Sequence, residues 1–126
     1  MSAQTVSRHF ALRHRLPPDI ASRPATSAWI HQRAAHYARV AGLAPLTVVC
    51  DPDRYEMLTG RAVPSSLWGD ADYPARLLFV DPTRCATNAG AELVVVHEIA
   101  HHRWPSYGHR PIFFERCQHL IDTVEA

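Results

Sequence analysis

The chain has 126 residues and a mass of 14.1 kDa, which is the size of a single domain. Hydrophobic residues make up 47% and charged residues 20%, and this composition excludes collagen-like, fibrous and wholly disordered proteins. No apolar run approaches the roughly 18 residues that a membrane-spanning helix needs, so we expect neither a transmembrane protein nor a membrane partner.

The charges are unevenly distributed along the chain. All 13 basic residues are arginines, and the 12 acidic residues leave a net charge of +1. Residues 1–39 contain six arginines and one acid, which gives 6 − 1 = +5, whereas the rest of the chain carries 7 − 11 = −4. A basic arm on a slightly acidic body can contact nucleic acid or an acidic partner, and the plainer alternative is a solvated tail.

Three widely spaced cysteines, Cys50, Cys85 and Cys117, form no CxxC pair. An odd number at such spacing indicates neither a zinc ribbon nor a disulfide framework, so we expect reduced thiols in a cytoplasmic protein. The N-terminal segment contains Arg8, Arg13 and Arg15 but lacks the apolar segment of a secretory signal. An arginine-rich N-terminal segment is also typical of organelle transit peptides.

The first half of the chain predicts an arm, a helix and a strand. Residues 1–25 contain three prolines and no sustained periodicity, so we expect a mostly extended basic arm, with the folded domain over 26–126. Thr26 or Ser27 can cap a helix over about 28–41, where apolar residues recur at helical spacing. The β-rich run 46–50 predicts a strand.

The second half predicts an irregular segment followed by regular elements. Residues 51–74 contain five glycines and prolines, so we expect a long irregular stretch with a short strand near 61–63. A strand is predicted over 76–80. Thr87 or Asn88 can then cap a helix that ends near residue 103. A last helix is predicted from about residue 110 to 124.

The chemistry centres on an HExxH motif at residues 97–101. Residues four apart in a helix lie on nearly the same face, so the imidazoles of His97 and His101 can converge on one metal ion. Glu98 is rotated by about 100° from His97 and borders that face, where it can act as general base towards a metal-activated water. Neutral imidazole suits Zn²⁺, which is the expected cofactor. His102 points away from this face and is a poor ligand candidate.

The helix that carries the motif is predicted to be buried. Apolar residues surround its axis on nearly every side, and only Glu92 and Arg103 share a polar stripe. Two imidazoles and a carboxylate inside such a helix are costly unless something compensates them. A metal ion compensates them directly, and the alternative is a core hydrogen-bond network of satisfied histidines.

A catalytic zinc site needs a third protein ligand and leaves one position for water. His109 is the best candidate, because Pro105 and Gly108 let the chain turn back past the helix end. Glu115 and His119, on the last helix, are reserve candidates, with plain surface roles as the alternative. Cys117 is expected to fill the core.

The strings HEIAHH at residues 97–102 and GHRPIF at residues 108–113 resemble the SprT-like group of small zincin metallopeptidases. Those proteins carry HExxH and then a histidine beside a glycine, with an aromatic residue opening the next helix. The similarity covers roughly residues 76–120. Arg110 stands where the family usually has glycine, and the zinc ribbon of some members is absent.

The resemblance implies zinc ligands at His97, His101 and His109 and a catalytic base at Glu98. It also implies a minimal zincin-like α+β domain, in which a small sheet packs on the HExxH helix between N- and C-terminal helices. The expected function is a zinc-dependent metallopeptidase that acts on peptide or protein substrates. Residues 26–126 would form that metallohydrolase domain.

Two other functions stay open at this point. A regulatory peptidase of the ImmA/IrrE type looks similar around HExxH but takes a carboxylate as third ligand. A non-catalytic binding module would use the metal only to fasten the last helix to the central one. Candidate supporting residues are Tyr107 and Arg110, as oxyanion donors or as plain surface residues at the helix end. The strand Leu77–Val80 is either a partner for an extended substrate or a core strand, and Trp68 is either a pocket residue or, as we rather expect, a core residue.

Overall fold

The computed structural model describes residues 11–124. Within this range the chain forms six helices and a three-stranded sheet, which confirms the predicted α+β class. The helices are α1 (Pro18–Ala21), α2 (Ser27–Val40), α3 (Pro52–Thr59), α4 (Pro82–Cys85), α5 (Asn88–Arg103) and α6 (Pro111–Val124), and the strands are β1 (Thr47–Val49), β2 (Gly69–Asp72) and β3 (Leu77–Val80). No helix in the described part of the chain is long and apolar enough to cross a membrane.

The sheet has the strand order β1-β3-β2, so β3 lies in the middle. β1 runs parallel to β3, and β2 runs antiparallel to it and pairs Ala71 with Leu78. All four residues of β3 are buried. β2 is therefore an edge strand of the sheet that residues 11–124 form, and it packs against α5.

Helix α5 forms the centre of the domain, where it contacts α2, α6 and the sheet. Its residues from 91 to 100 are all buried, as the apolar pattern predicted. The Thr87 hydroxyl caps α5 by accepting a hydrogen bond from the Gly90 amide, and the Thr26 hydroxyl caps α2 in the same way. Two of the predicted start signals are thus confirmed, and so is the helical spacing of α2.

Glu92 does not form part of an outward polar stripe. Its side chain is fully buried between α5 and α2, where it accepts hydrogen bonds from Arg33 Nε at 2.8 Å and from Tyr37 Oη at 2.9 Å. A second Arg33 nitrogen also contacts the carboxylate. A buried carboxylate needs such partners, and this ion pair fixes the position of α5 against α2.

The segment 51–74 is more regular than its glycines and prolines predicted. Asp51 caps α3 by accepting from the Asp53 amide, and Gly60 ends the helix in a left-handed conformation. The ring of Tyr55 is buried and stacks on Phe79 of β3 at 4.8 Å. The short strand predicted near 61–63 is wrong, because these residues connect α3 to β2 without strand pairing.

The predicted arm lies against the domain wherever the structure describes it. Leu12 is buried in the core, the Asn88 side-chain amide donates to Ile20 O at 3.0 Å, and the Ala25 amide donates to Ala86 O at 2.9 Å. A short helix, α1, interrupts the extended course predicted for this segment. The part of the predicted arm over residues 1–10 lies outside the described residues.

Candidate metal centre

Three imidazoles converge at the end of α5. His97 is fully buried, His101 lies one helical turn further on and is half-buried, and their Nε2 atoms are 3.0 Å apart. The Nε2 atom of His109, which is exposed, lies 2.9 Å from that of His101. Ligands 2.0–2.1 Å from one tetrahedral ion lie about 3.3 Å apart, so this spacing is close to that of a zinc site. The group could hold a metal ion.

A tight turn brings His109 back to the helix. Gly108 has a φ of 59°, a left-handed conformation that favours glycine. The guanidinium of Arg110 donates to Tyr107 O at 2.8 Å and to Ser106 O at 3.1 Å, which closes the turn. The chain reversal expected from Gly108 is present.

The ring of Phe113 packs against all three imidazoles. Its centroid lies 4.9 Å from that of His97, 4.5 Å from that of His101 and 5.6 Å from that of His109. Phe113 is fully buried in the first turn of α6. Sequence reasoning gave this residue no role of its own, although it is the aromatic residue that opens the last helix. The contact orients the imidazoles from one side.

The carboxyl group of Glu98 lies beside the histidines and is buried. Its side chain is nearly inaccessible, Oε1 lies 3.8 Å from His97 Nε2, and Oε2 accepts no hydrogen bond from the described residues. Burial raises the pKa of this carboxyl to about 8. Burial, together with the neighbouring His109, lowers the pKa of His101 to about 4, which favours the neutral imidazole that metals bind.

These donors fit a divalent metal ion. A dication beside Glu98 would favour its carboxylate form and compensate a buried oxygen that has no donor among residues 11–124. Three neutral imidazoles are a ligand set that suits Zn²⁺.

The centre opens into a cleft of about 150 Å³. The cleft is lined by eight residues from α5, β2 and the turns that follow them: Gly69, Asp70, Ala71, Tyr73, His97, Glu98, His101 and His109. Of the two interpretations of Leu77–Val80, the core strand is confirmed and the substrate-pairing strand is wrong, because β1 and β2 occupy both edges of that strand. The edge strand β2 lies along the cleft instead.

The other candidates lie elsewhere. Glu115 and His119 are exposed on α6 and do not belong to the group of converging ligand atoms. Tyr107 and Arg110 shape the turn before α6 and do not line the cleft. Trp68 is half-buried and packs against the core.

Comparison with protein-family models, with curated proteins and with solved structures gave no match. The resemblance to SprT-like zincins, and the function it implies, therefore stay predictions that depend on the motif and the site.

Proposed function

We propose that the protein is a zinc-dependent metallopeptidase with a zincin-like fold. His97, His101 and His109 would hold the ion, and Glu98 would be the general base. The observation that carries the proposal is the convergence of three Nε2 atoms beside a buried carboxylate oxygen that has no donor among the described residues. A core network of satisfied histidines would be expected to supply that donor.

Glu98, the three histidines and Phe113 have different roles in the proposed hydrolysis. A bound zinc ion would polarise the scissile carbonyl and acidify the attacking water. Glu98 takes the proton from that water and passes it to the leaving amine, so that the acyl product is released as an acid and the amine leaves neutral. The three imidazoles and the ring of Phe113 keep the site rigid, and the buried surroundings of Glu98 strengthen its interactions with charge.

The edge strand β2 is suited to bind the substrate backbone. The Asp81 amide donates to Trp68 O at 2.9 Å, and hydrogen-bonded pairs alternate along an antiparallel ladder. By this alternation Asp70 bonds to β3, whereas Ala71 directs its backbone N–H and C=O groups away from it. An extended peptide can pair with these groups by β-augmentation. The proposed substrate is therefore an extended peptide or an unfolded protein segment.

The test is a Glu98→Gln variant. Zinc should remain bound at one equivalent, and hydrolysis of casein or of a peptide mixture should fall by at least ~10²-fold. Glu115→Gln, on the exposed face of α6, is the matched control and should keep full activity. If the Glu98→Gln variant hydrolyses its substrate at the wild-type rate, the assignment of Glu98 as the general base is wrong.

The third ligand can be tested by metal analysis. His109→Ala should lose bound zinc on dialysis, whereas Glu115→Ala should retain it. The opposite pattern would favour the regulatory-peptidase alternative with a carboxylate ligand. A cytoplasmic location belongs to the same proposal and is supported by the free thiols of Cys50, Cys85 and Cys117.

A further inference from the structure

We propose that the phenol of Tyr73 donates a hydrogen bond to the oxyanion that forms when the scissile carbonyl is attacked. The inference rests on the proposed hydrolytic function and assigns a second stabilising group beside the metal. No sequence motif points to this residue, which lies outside the HExxH helix and its flanking turn.

Tyr73 stands at the mouth of the cleft. It is the first residue after β2, in the turn that leads into β3, and it lines the cleft together with the histidines and Glu98. Its side chain is not used for core packing, since the residue is 45% exposed. Within residues 11–124 its hydroxyl makes no hydrogen bond, so the O–H group is available as a donor to a bound ligand.

A contact with α5 holds the ring in place. The ring of His102 meets that of Tyr73 edge-on, with centroids 5.5 Å apart and an interplanar angle of 88°. His102 Nε2 donates to Leu77 O at 2.8 Å, and Leu77 pairs with Asp72 at the end of β2. His102, which follows the candidate ligand His101, is thereby fixed to the hairpin that carries Tyr73. This contact gives the phenol a defined position relative to the metal centre.

The other cleft side chains do not offer a donor. Asp70 already accepts hydrogen bonds from Tyr55 Oη at 2.7 Å and from Arg61 at 3.2 Å, and a carboxylate cannot donate. Glu98 has the role of base, and the imidazoles have the role of metal ligands. Tyr107 and Arg110, which the sequence suggested as oxyanion donors, do not line the cleft. Among the described cleft residues, Tyr73 is the side-chain donor that remains.

The first test compares Tyr73→Phe with Tyr107→Phe. Tyr73→Phe keeps the ring and its contact with His102 but removes the hydroxyl. We expect kcat to fall by about 10²-fold, with KM and zinc content close to wild type, as for the loss of one oxyanion donor. Tyr107→Phe should behave as wild type. An unchanged kcat in Tyr73→Phe, or an equal fall in Tyr107→Phe, would overturn the inference.

A binding measurement tests the same group without turnover. Titration calorimetry on the zinc-loaded protein would compare a phosphinic peptide, which carries a tetrahedral oxyanion, with imidazole, which carries none. Tyr73→Phe should weaken phosphinic peptide binding at least tenfold and leave imidazole binding unchanged. Equal weakening of both ligands, equal affinity in wild type and variant, or failure of wild type to bind the peptide would contradict the role. Selective weakening without any hydrolysis by wild type would keep the donor and refute the peptidase function.

Discussion

Gly69 of β2 lies so close to α5 that a Cβ atom at position 69 would stand 3.3 Å from Cγ of Glu98. The same Cβ would be 2.5 Å from Cγ1 of Val94 and 3.0 Å from the backbone oxygen of Phe79. The lack of a side chain at position 69 thus sets how closely the edge strand approaches the proposed general base.

A Gly69→Ala substitution should force β2 and α5 apart. We expect the free energy of unfolding to fall by about 1–3 kcal/mol, as for other overpacked core sites. Denaturant titration would measure it. As a control, Val94→Ala is combined with Gly69→Ala. Val94→Ala removes the Cγ1 atom that lies closest to the new Cβ atom. The double variant should lose less stability than the sum of the two single changes, and strict additivity would contradict the close approach.

The metal-free protein should lose stability as the pH rises from 6.5 to 8. The Glu98 pKa of about 8 lies above its ordinary 4.5, so the folded protein keeps a proton that the unfolded chain has released. His101 has the opposite effect on stability, because burial lowers its pKa to about 4. Above its ordinary pKa of 6.5 the imidazole is neutral in both the folded and the unfolded chain, so its contribution to stability no longer changes with pH. Between pH 6.5 and 8 the titration of Glu98 still changes stability, and we expect the free energy of unfolding to fall by up to ~2 kcal/mol.

Unfolding titrations in EDTA at several pH values would measure this loss. Glu98→Gln has no carboxyl to titrate and should show a flatter profile over the same range. Saturating zinc should also flatten the wild-type profile, because a dication favours the carboxylate. Parallel profiles for wild type and Glu98→Gln in EDTA would show that burial does not perturb this carboxyl.

Loss of the Phe113 ring should weaken metal binding. Phe113→Leu removes the surface against which all three imidazoles pack, so we expect zinc affinity to fall about tenfold, as when groups that orient ligands are changed. Competition with a chromogenic chelator would measure it. Phe79→Leu is the matched control, because Phe79 is equally buried but packs with Tyr55 in a separate group of buried residues. A similar loss of affinity in both variants would indicate general loosening only.

The buried ion pair between α2 and α5 should contribute strongly to stability. Glu92→Gln removes the buried carboxylate that accepts hydrogen bonds from Arg33 and Tyr37, and we expect a loss of about 2–3 kcal/mol in the free energy of unfolding. Glu115→Gln on the surface should change it by less than about 0.5 kcal/mol. Thermal or urea unfolding would measure both changes. If Glu92→Gln lowers the free energy of unfolding no more than Glu115→Gln does, the ion pair contributes nothing to stability.

Local signals predicted the three long helices α2, α5 and α6, although not the shorter α1, α3 and α4. Thr26 and Thr87 cap helices at the expected places, and the nearly unbroken apolar pattern of α5 indicated its burial. His97 and His101 follow from helical geometry alone, and the approach of His109 from the turn at Gly108. These features depend on residues near one another in sequence, where periodicity and capping are informative.

The remaining parts of the site depend on long-range packing. β2 has the sequence Gly-Asp-Ala-Asp, which carries no strand propensity, and it forms because β3 and α5 lie beside it. Gly69 and Tyr73 therefore reach the cleft through strand pairing that no local pattern encodes. The partnership of Glu92 with Arg33, across 59 residues, is missed for the same reason.

All three candidate ligands fall between residues 97 and 109, and two of them are one helical turn apart. A denatured chain would still present these imidazoles within a short tether and would retain some affinity for the ion. Added zinc would consequently raise the melting temperature by less than its native-state dissociation constant implies, because both sides of the folding equilibrium are ligated. The same short tether would let the ion bind early in refolding, ahead of the long-range pairing that brings β2 to the cleft.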